Sequence, residues 1–463
     1  MAYNSDGDEI DLRNFDSQQY SIFTTPVSDK IGKDGYFVST AISGAITSSG
    51  GFRPDVKGES DFRWALGINY FSLDLIGVWT HENASSDTLV PRKFRIPLMI
   101  GVATLGIVLP QGYALYLVSS HLPLVLDNLC TSAACTIGLV KLLYLWKYRH
   151  DLTEVMEEAR NDWLRNKTSW ERSVMLKQAG RARSFTIVGY CVMLMALLNY
   201  GVPPFFGYTS RMVNNITDTG SELGHYFPLQ AAFPFESDIT PNFQILYFLM
   251  WISMLCDVTA YTFPDNLFGA LIFHASAQAE ILGAQMRHAF DGFEGTRSGN
   301  EGFIQSKIKQ IAINQVRLRR LMRLTNDSFK TIILSQVVSL TIATCSFGFG
   351  TIDALSNDKD DIPMMRLLIA GEATLASMFQ ILIYCVASEV YIHHSEMHVN
   401  NMYASKWYDV SITDSRDIIL VMAVSQTSPR PTAGGFVDLS LNLFVQICRT
   451  TFSYISVLLA ASK

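Results

Sequence analysis

The sequence predicts an all-α membrane protein with seven transmembrane helices and an intracellular amino terminus. Three observations predict it. Of 463 residues, 49% are hydrophobic and only 17% are charged, with a mean hydropathy of +0.18, whereas soluble domains carry about a quarter charged residues. Apolar runs of membrane length recur near 94–120, 122–146, 184–208, 244–263 (continuing amphipathically to about 286), 329–352, 365–392 and 434–460. The basic residues fall on one side only. Lys141, Lys147, Arg149, Arg160, Arg165, Lys167, Arg172, Lys177, Arg181 and Arg183 lie between spans two and three, and a second group from Arg287 to Lys330 lies between spans four and five. The alternate loops hold little more than Arg211 and Lys359. By the positive-inside rule the amino terminus is cytoplasmic and the carboxyl terminus outside, the inverse of a G-protein-coupled receptor. The net charge of −6 matters less than this placement.

Residues 1–60 open with "MAYNSDGDEIDLRNF", polar and acidic where a secretory signal is basic then apolar. Their Ser, Gly and Asp predict a mobile cytoplasmic segment. Residues 61–93 read as a membrane-associated segment ahead of span one, and 94–286 hold spans one to four. A cytoplasmic loop and helix occupy 287–328, spans five and six with their inner extension 329–413, an inner helix 414–431, and span seven 432–463. Within the loop, Ile304, Ile308, Ile311, Val316, Leu318 and Leu321 recur amid basic residues from Phe303 to Leu324, as in an amphipathic helix. All seven cysteines (Cys130, Cys135, Cys191, Cys256, Cys345, Cys385 and Cys448) fall inside spans, which predicts free thiols.

Span seven is the most telling. It starts at the Gly434-Gly435 break and sets Thr450, Thr451, Ser453 and Ser456 among Leu443, Phe444, Val445, Ile447, Ile455, Val457, Leu458 and Leu459. Such a helix either lines water or is an ordinary span whose hydroxyls bond back to its own backbone. Enzyme chemistry finds no support: there is no phosphate-cradling glycine loop, and no catalytic residue, cofactor or metal is assigned. His393 and His394 stand near Glu389 and Glu396, but adjacent histidines point to different helix faces. Asp127, Asp257, Asp265 and Glu372 are carboxylates at membrane depth, where they face a cavity or pair between helices. No internal repeat points to a transporter of duplicated halves.

Several motifs follow one another in a telling order. "LDLIGVWT" (Leu73 to Thr80) precedes span one, "HYFPLQAAFPFESDITPNFQILYFLMW" leads into span four, and "FPDNLFGALIFHASAQAEILGAQM" ends it. Ser388-Glu389, Tyr403, Trp407-Tyr408, a Pro-x-x-x-Gly-Gly break and a Thr-Phe-Ser-Tyr run close the chain. From about residue 65 onward the chain resembles an insect odorant receptor. That resemblance implies four subunits around one cation pathway, a cytoplasmic anchor built from the inner ends of spans four to six with "SRDIILVMAVSQ" (Ser415 to Gln426), and a pore lined by span seven. The loop between spans four and five lacks the insertion of the family's co-receptor, so an odour-tuned subunit is implied. "TTFSYISVLLAAS" departs from the ending of the gustatory branch.

The resemblance further implies a pocket for small volatile organics in the outer half of the bundle. Helical spacing puts Met193, Leu197 and Tyr200 of span three on one outer face, and Tyr247, Trp251 and Met254 of span four on another. Thr131, Phe347, Ile369 and Ala373 are at similar depth. Trp251 and Tyr200 each pair a large ring with a polar handle. The gate is expected at Val457, with Ser453, Ser456 and Ala461 beside it, and Leu443 is expected to face lipid. Of the glycosylation sequons at Asn83, Asn166, Asn215 and Asn326, only Asn215 falls in an outer loop. The implied partners are a volatile odorant, the bilayer, and co-receptor subunits in a heterotetramer or copies of this chain in a homotetramer, with no nucleic acid. The implied location is the plasma membrane of a sensory dendrite. A gustatory-type channel is the nearest alternative, and a G-protein-coupled chemoreceptor a more distant one.

Overall fold

A computed structural model describes residues 56–78, 91–206, 226–237, 239–291, 301–356 and 364–462. The expected mobile segment 1–60 lies almost wholly outside them, as do Asn83 and Asn215. Helix α1 (Val56–Ile76) precedes a first span made of α2 (Arg92–Ala103), a π-helical turn (Thr104–Val108) and α3 (Leu109–Leu117). Then follow α4 (Leu122–Lys147), α5 (Arg149–Leu164), α6 (Ser169–Gly201), α7 (Asn242–Arg287), α8 (Glu301–Ser356), α9 (Met364–Tyr403), α10 (Ile412–Ser425), a short antiparallel pair β1 (Thr432–Ala433) and β2 (Val437–Asp438), and α11 (Leu441–Ser462). Among the described residues six helices are long and apolar enough to cross a membrane. The seventh expected span is the 22-residue α11.

Local chemistry explains the breaks. Pro110 lacks an N–H and crowds the carbonyl four residues back, and the π turn just before it absorbs that conflict. At the same turn Gly106 lets α7 approach, since a Cβ there would lie 2.0 Å from Ser253 Oγ. Ser253 Oγ in turn donates to Val102 O at 3.1 Å. A capping box starts α6: Glu171 N–H donates to Thr168 Oγ1 at 3.2 Å, and Thr168 N–H donates to Glu171 Oε2 at 2.8 Å. Gly434 and Gly435 hold φ of +66° and +84° between the two strands, a conformation that favours glycine.

Three helices outrun a bilayer. At 1.5 Å per residue, α7, α8 and α9 are about 70, 85 and 60 Å long, against about 30 Å of hydrocarbon. The expected separate helix at 303–324 is thus the first part of α8, continuous with span five. Ile304, Ile308, Ile311, Leu318 and Leu321 of that part are buried as expected, but Val316 is 64% exposed, because it lies off the stripe the others share. The second half of α7 is buried nearly all round and runs through the middle of the bundle, with Phe263, Leu267, Phe268, Leu271 and Ile272 packed against the neighbouring helices α4, α6, α8 and α9. The inner helix α10 is tied to α8. Gln315 Nε2 donates to Ser425 Oγ at 2.7 Å, and Arg319 donates to Val424 O at 2.6 Å and Thr427 O at 3.0 Å, satisfying carbonyls left over at the helix end.

Lys141 is not a loop charge. It is 0% exposed, and its Nζ lies 2.7 Å from both carboxylate oxygens of Asp265. It also donates to Tyr261 O at 2.8 Å. Glu372 accepts from Asn199. Asp162, Arg317 and His274 (Nε2 at 3.1 Å) form a second buried polar cluster joining α5, α8 and α7. The six cysteines with described side chains carry free thiols.

Candidate functional site

A second apolar cluster, separate from the main core, gathers where the first span, α4, α6 and α7 meet the loop 226–237. Ile107 and Cys135 contribute from the first two spans, Leu197 from α6, Phe227, Leu229 and Ala231 from the loop, and Leu246, Met250 and Met254 from α7. Tyr200, Phe233, Phe243 and Trp251 pack against it, half-buried. The ring of Phe227 lies 5.1 Å from that of Phe243 and 5.6 Å from that of Phe233, within the range of favourable aromatic pairing.

Four of the expected ligand-binding residues, Leu197, Tyr200, Trp251 and Met254, meet here. Tyr247 joins at the edge, its ring 5.8 Å from Phe243. Met193 is half-buried one turn before Leu197 and outside the cluster, because its place on α6 is too far along the helix axis. Thr131 is half-buried and accepts a hydrogen bond from Gln111 Nε2 at 3.0 Å. The side chains of Phe347, Ile369 and Ala373 lie outside the described residues. Met250, Ile107 and the loop's Phe227, Leu229 and Phe233 were not among the expected residues. For the three loop residues the aromatic run "HYFPLQAAFPF" was the signal in the sequence.

The polar handles have partners already. Tyr247 OH donates to Gly201 O at 2.8 Å, and Trp251 Nε1 donates to the same oxygen at 3.2 Å. That carbonyl is one of the unpaired acceptors at the end of α6, so both rings are pinned there. Gly201 leaves the space they need, because a Cβ on it would lie 2.5 Å from Trp251 Cζ2.

Helix α11 has two unlike faces. One is packed: Ile447 is buried with Leu340, Ile381 and Cys385, with Leu443 and Phe444 against them, and Thr451 is buried. Leu443 is therefore not lipid-facing but part of a helix contact, because it lies one turn before Ile447 on the same stripe. The other face leaves Gln446, Arg449, Thr450, Ser453, Ser456 and Val457 exposed in the single subunit, Val457 at 61%. The hydroxyls of Thr450 and Ser456 also donate to Gln446 O and Phe452 O at 2.9 Å. Ala461 lies outside the described side chains. The start of α11 is held by Leu441 N–H donating to Glu389 Oε2 at 3.2 Å, and the hairpin before it by Thr432, whose N–H and hydroxyl donate to Asn326 Oδ1 at 2.8 and 3.0 Å.

No group of three or more His, Cys, Asp or Glu arranged to hold a metal ion occurs among the described residues. His393 and His394 are ring neighbours, and His394 reaches Glu280 across to α7 at 3.5 Å.

The 7tm Odorant receptor family matches residues 121–452. Odorant receptor 10a of Drosophila melanogaster is 24% identical over 397 residues, spanning 83% of this chain and 93% of that protein. Odorant receptor 82a of the same organism is 25% identical over 351 residues, covering 74% and 83%. Among solved structures, the insect olfactory receptor OR5 from Machilis hrabei in complex with eugenol has the same fold, with a TM-score of 0.72 at 13% identity over 88% of this chain and all of that one. A second structure of the same receptor gives a TM-score of 0.70 at 13% identity over 86% of this chain and 99% of that one.

Proposed function

Because the chain belongs to the odorant receptor family, whose activity is reception and not catalysis, we propose that it is an odour-tuned subunit of a tetrameric, ligand-gated, nonselective cation channel. The amino terminus is cytoplasmic in this reading, and α11 lines a central pore in the plasma membrane of a sensory dendrite. Its partners there are co-receptor subunits, or further copies of itself. The charge pattern supports that orientation even without Lys141, since the remaining basic residues still crowd the same two connections.

One observation carries the channel half of the reading: the exposed polar face of α11. Hydrocarbon offers Gln446, Arg449 and Ser453 no hydrogen-bond partner, so a helix at bilayer depth turns such a face to water or to other subunits. The ligand half rests on the cluster around Trp251 and Tyr200, joined by Tyr247 and Thr131. Apolar and aromatic groups with few polar ones recognise small volatiles by shape and dispersion. That OR5 was solved with eugenol supports a ligand of that size.

Recording from excised patches free of G protein and nucleotide, with and without co-expressed co-receptor, tests the reading. Odorant-evoked current in such patches is the expected result. Current that appears only when G-protein signalling is restored overturns it. Arg449 lies on the pore face, so reversal potentials before and after Arg449→Gln measure cation preference directly.

A further inference from the structure

Three carboxamides border the aromatic cluster and are sealed from solvent: Gln111 at 0%, Asn128 at 0% and Gln230 at 1% exposure. Gln111 lies four residues beyond Ile107. Asn128 lies two turns before Cys135, with Thr131 between them, and both Ile107 and Cys135 belong to the cluster. Gln230 stands between two other members, Leu229 and Ala231. Its loop is tied to the first span by Ala232 N–H, which donates to Pro110 O at 3.1 Å.

The bonds these groups make orient two of the amides. Thr131 Oγ1 has a single proton and donates it to Asn128 O at 3.2 Å. With its proton placed there, Oγ1 accepts from Gln111 Nε2 at 3.0 Å. Asn128 faces the backbone carbonyl of Gln111 at 3.3 Å, so its facing atom is Nδ2. Gln111 Oε1 and Asn128 Oδ1 are thereby left as buried acceptors with no donor among the described groups, and neither polar atom of Gln230 has a partner among them. Buried acceptors without donors are costly. A ligand that brings a donor to this border removes that cost, and one that brings only an acceptor does not.

We infer that the outer site selects small ligands bearing a hydrogen-bond donor, such as alcohols and phenols, with Gln111 or Asn128 accepting the one proton of the ligand hydroxyl and Gln230 available to donate to its oxygen. The inference rests on the outer cluster being the ligand pocket. Neither Gln111 nor Asn128 stands out in sequence, where each is one polar residue inside an apolar span. A buried water donating to the same oxygens is the competing occupant, and it implies no preference among ligands.

The test is a dose-response comparison of isomer pairs on the full chain with its co-receptor: hexanol against methyl pentyl ether, para-ethylphenol against para-methylanisole, and homologous pairs over a range of chain lengths. Donor-bearing isomers should be about tenfold more potent, the worth of one hydrogen bond to an otherwise orphaned acceptor. Gln111→Met and Asn128→Leu, matched in size, should bring the ratio towards one by weakening the alcohols more than the ethers, at unchanged surface expression. Equal potency of the isomers in the native chain overturns the donor assignment and leaves the receptor reading intact. So does a ratio that survives both substitutions. A native chain that reaches the surface but neither opens nor is thermally stabilised by any compound of the panel overturns both.

Discussion

Lys141 Nζ and the Asp265 carboxylate meet at 2.7 Å across 124 residues of sequence, with the lysine side chain fully buried and the aspartate 7% exposed. Gln380 Nε2 adds a donor to Asp265 Oδ2 at 2.6 Å, so α4, α7 and α9 converge on one carboxylate. Removing one partner of such a pair strands a charge in a low-dielectric interior, at a cost of about 3–5 kcal/mol. Asp265→Ala should therefore abolish a monodisperse peak in detergent by fluorescence-detected size exclusion. The paired change Lys141→Met with Asp265→Leu should recover much of it, and a double variant no better than the single one would show that the pair is not what holds these helices.

Gly201 anchors the aromatic site. Gly201→Ala should push the Trp251 ring from its seat and loosen both hydrogen bonds to the Gly201 carbonyl, shifting ligand preference with modest loss of stability. Trp251→Ala should do so more strongly by enlarging an apolar space. Dose-response curves over a broad odorant panel, normalised to surface expression, check both. Curves unchanged in shape and order would put the pocket elsewhere.

Val457 is expected to form a dry apolar ring when four copies of α11 surround one axis. Val457→Gln should raise ligand-free current or change ion permeation. Leu443 cannot serve as the control, since it packs into the bundle. Leu194, 55% exposed on α6, can, and Leu194→Gln should leave basal current unchanged. Thiol reagent applied outside to a Val457→Cys channel, with native cysteines shown to be silent, should alter the current in at least one state.

Asn215 is expected to be the only glycosylated sequon. The Asn326 sequon lies within α8 with Ser328 buried, and Asn166 is exposed between α5 and α6, on the side assigned to the cytoplasm. Mass spectrometry of glycosidase-treated protein decides. A glycan on Asn166 would reverse the orientation.

Arg172 donates to Asp61 at 2.6 and 2.8 Å and holds its carboxyl below the usual carboxylate range. The folded value is the depressed one. The contribution, roughly 2 kcal/mol for charged hydrogen bonds, is therefore complete above the ordinary carboxylate value near 4 and fades as pH falls through the folded value. Asp61→Asn should lower Tm at pH 7, and the gap to the native chain should narrow as pH drops below about 4. A gap independent of pH would deny the ion pair that role.

Much of the plan was legible in the chain. Apolar runs of bilayer length, the crowding of basic residues at alternate connections, the glycine break and the hydroxyl-dotted last span all depend on composition and period, which local sequence carries in full. Helical spacing likewise put Leu197, Trp251 and Met254 where they meet. What local sequence could not carry is which distant groups come together. Lys141 reads as one more loop charge until α7 brings Asp265 to it, and the Trp251 and Tyr247 handles read as free until the end of α6 offers them Gly201. Leu443 reads as a lipid-facing leucine until α8 and α9 close over its stripe. The solvation of the membrane is encoded residue by residue, and sequence alone determined it. The partners of buried polar groups are set by contacts between residues far apart in the chain, 50 for Trp251 and Gly201 and 124 for Lys141 and Asp265, and only the tertiary structure decided them.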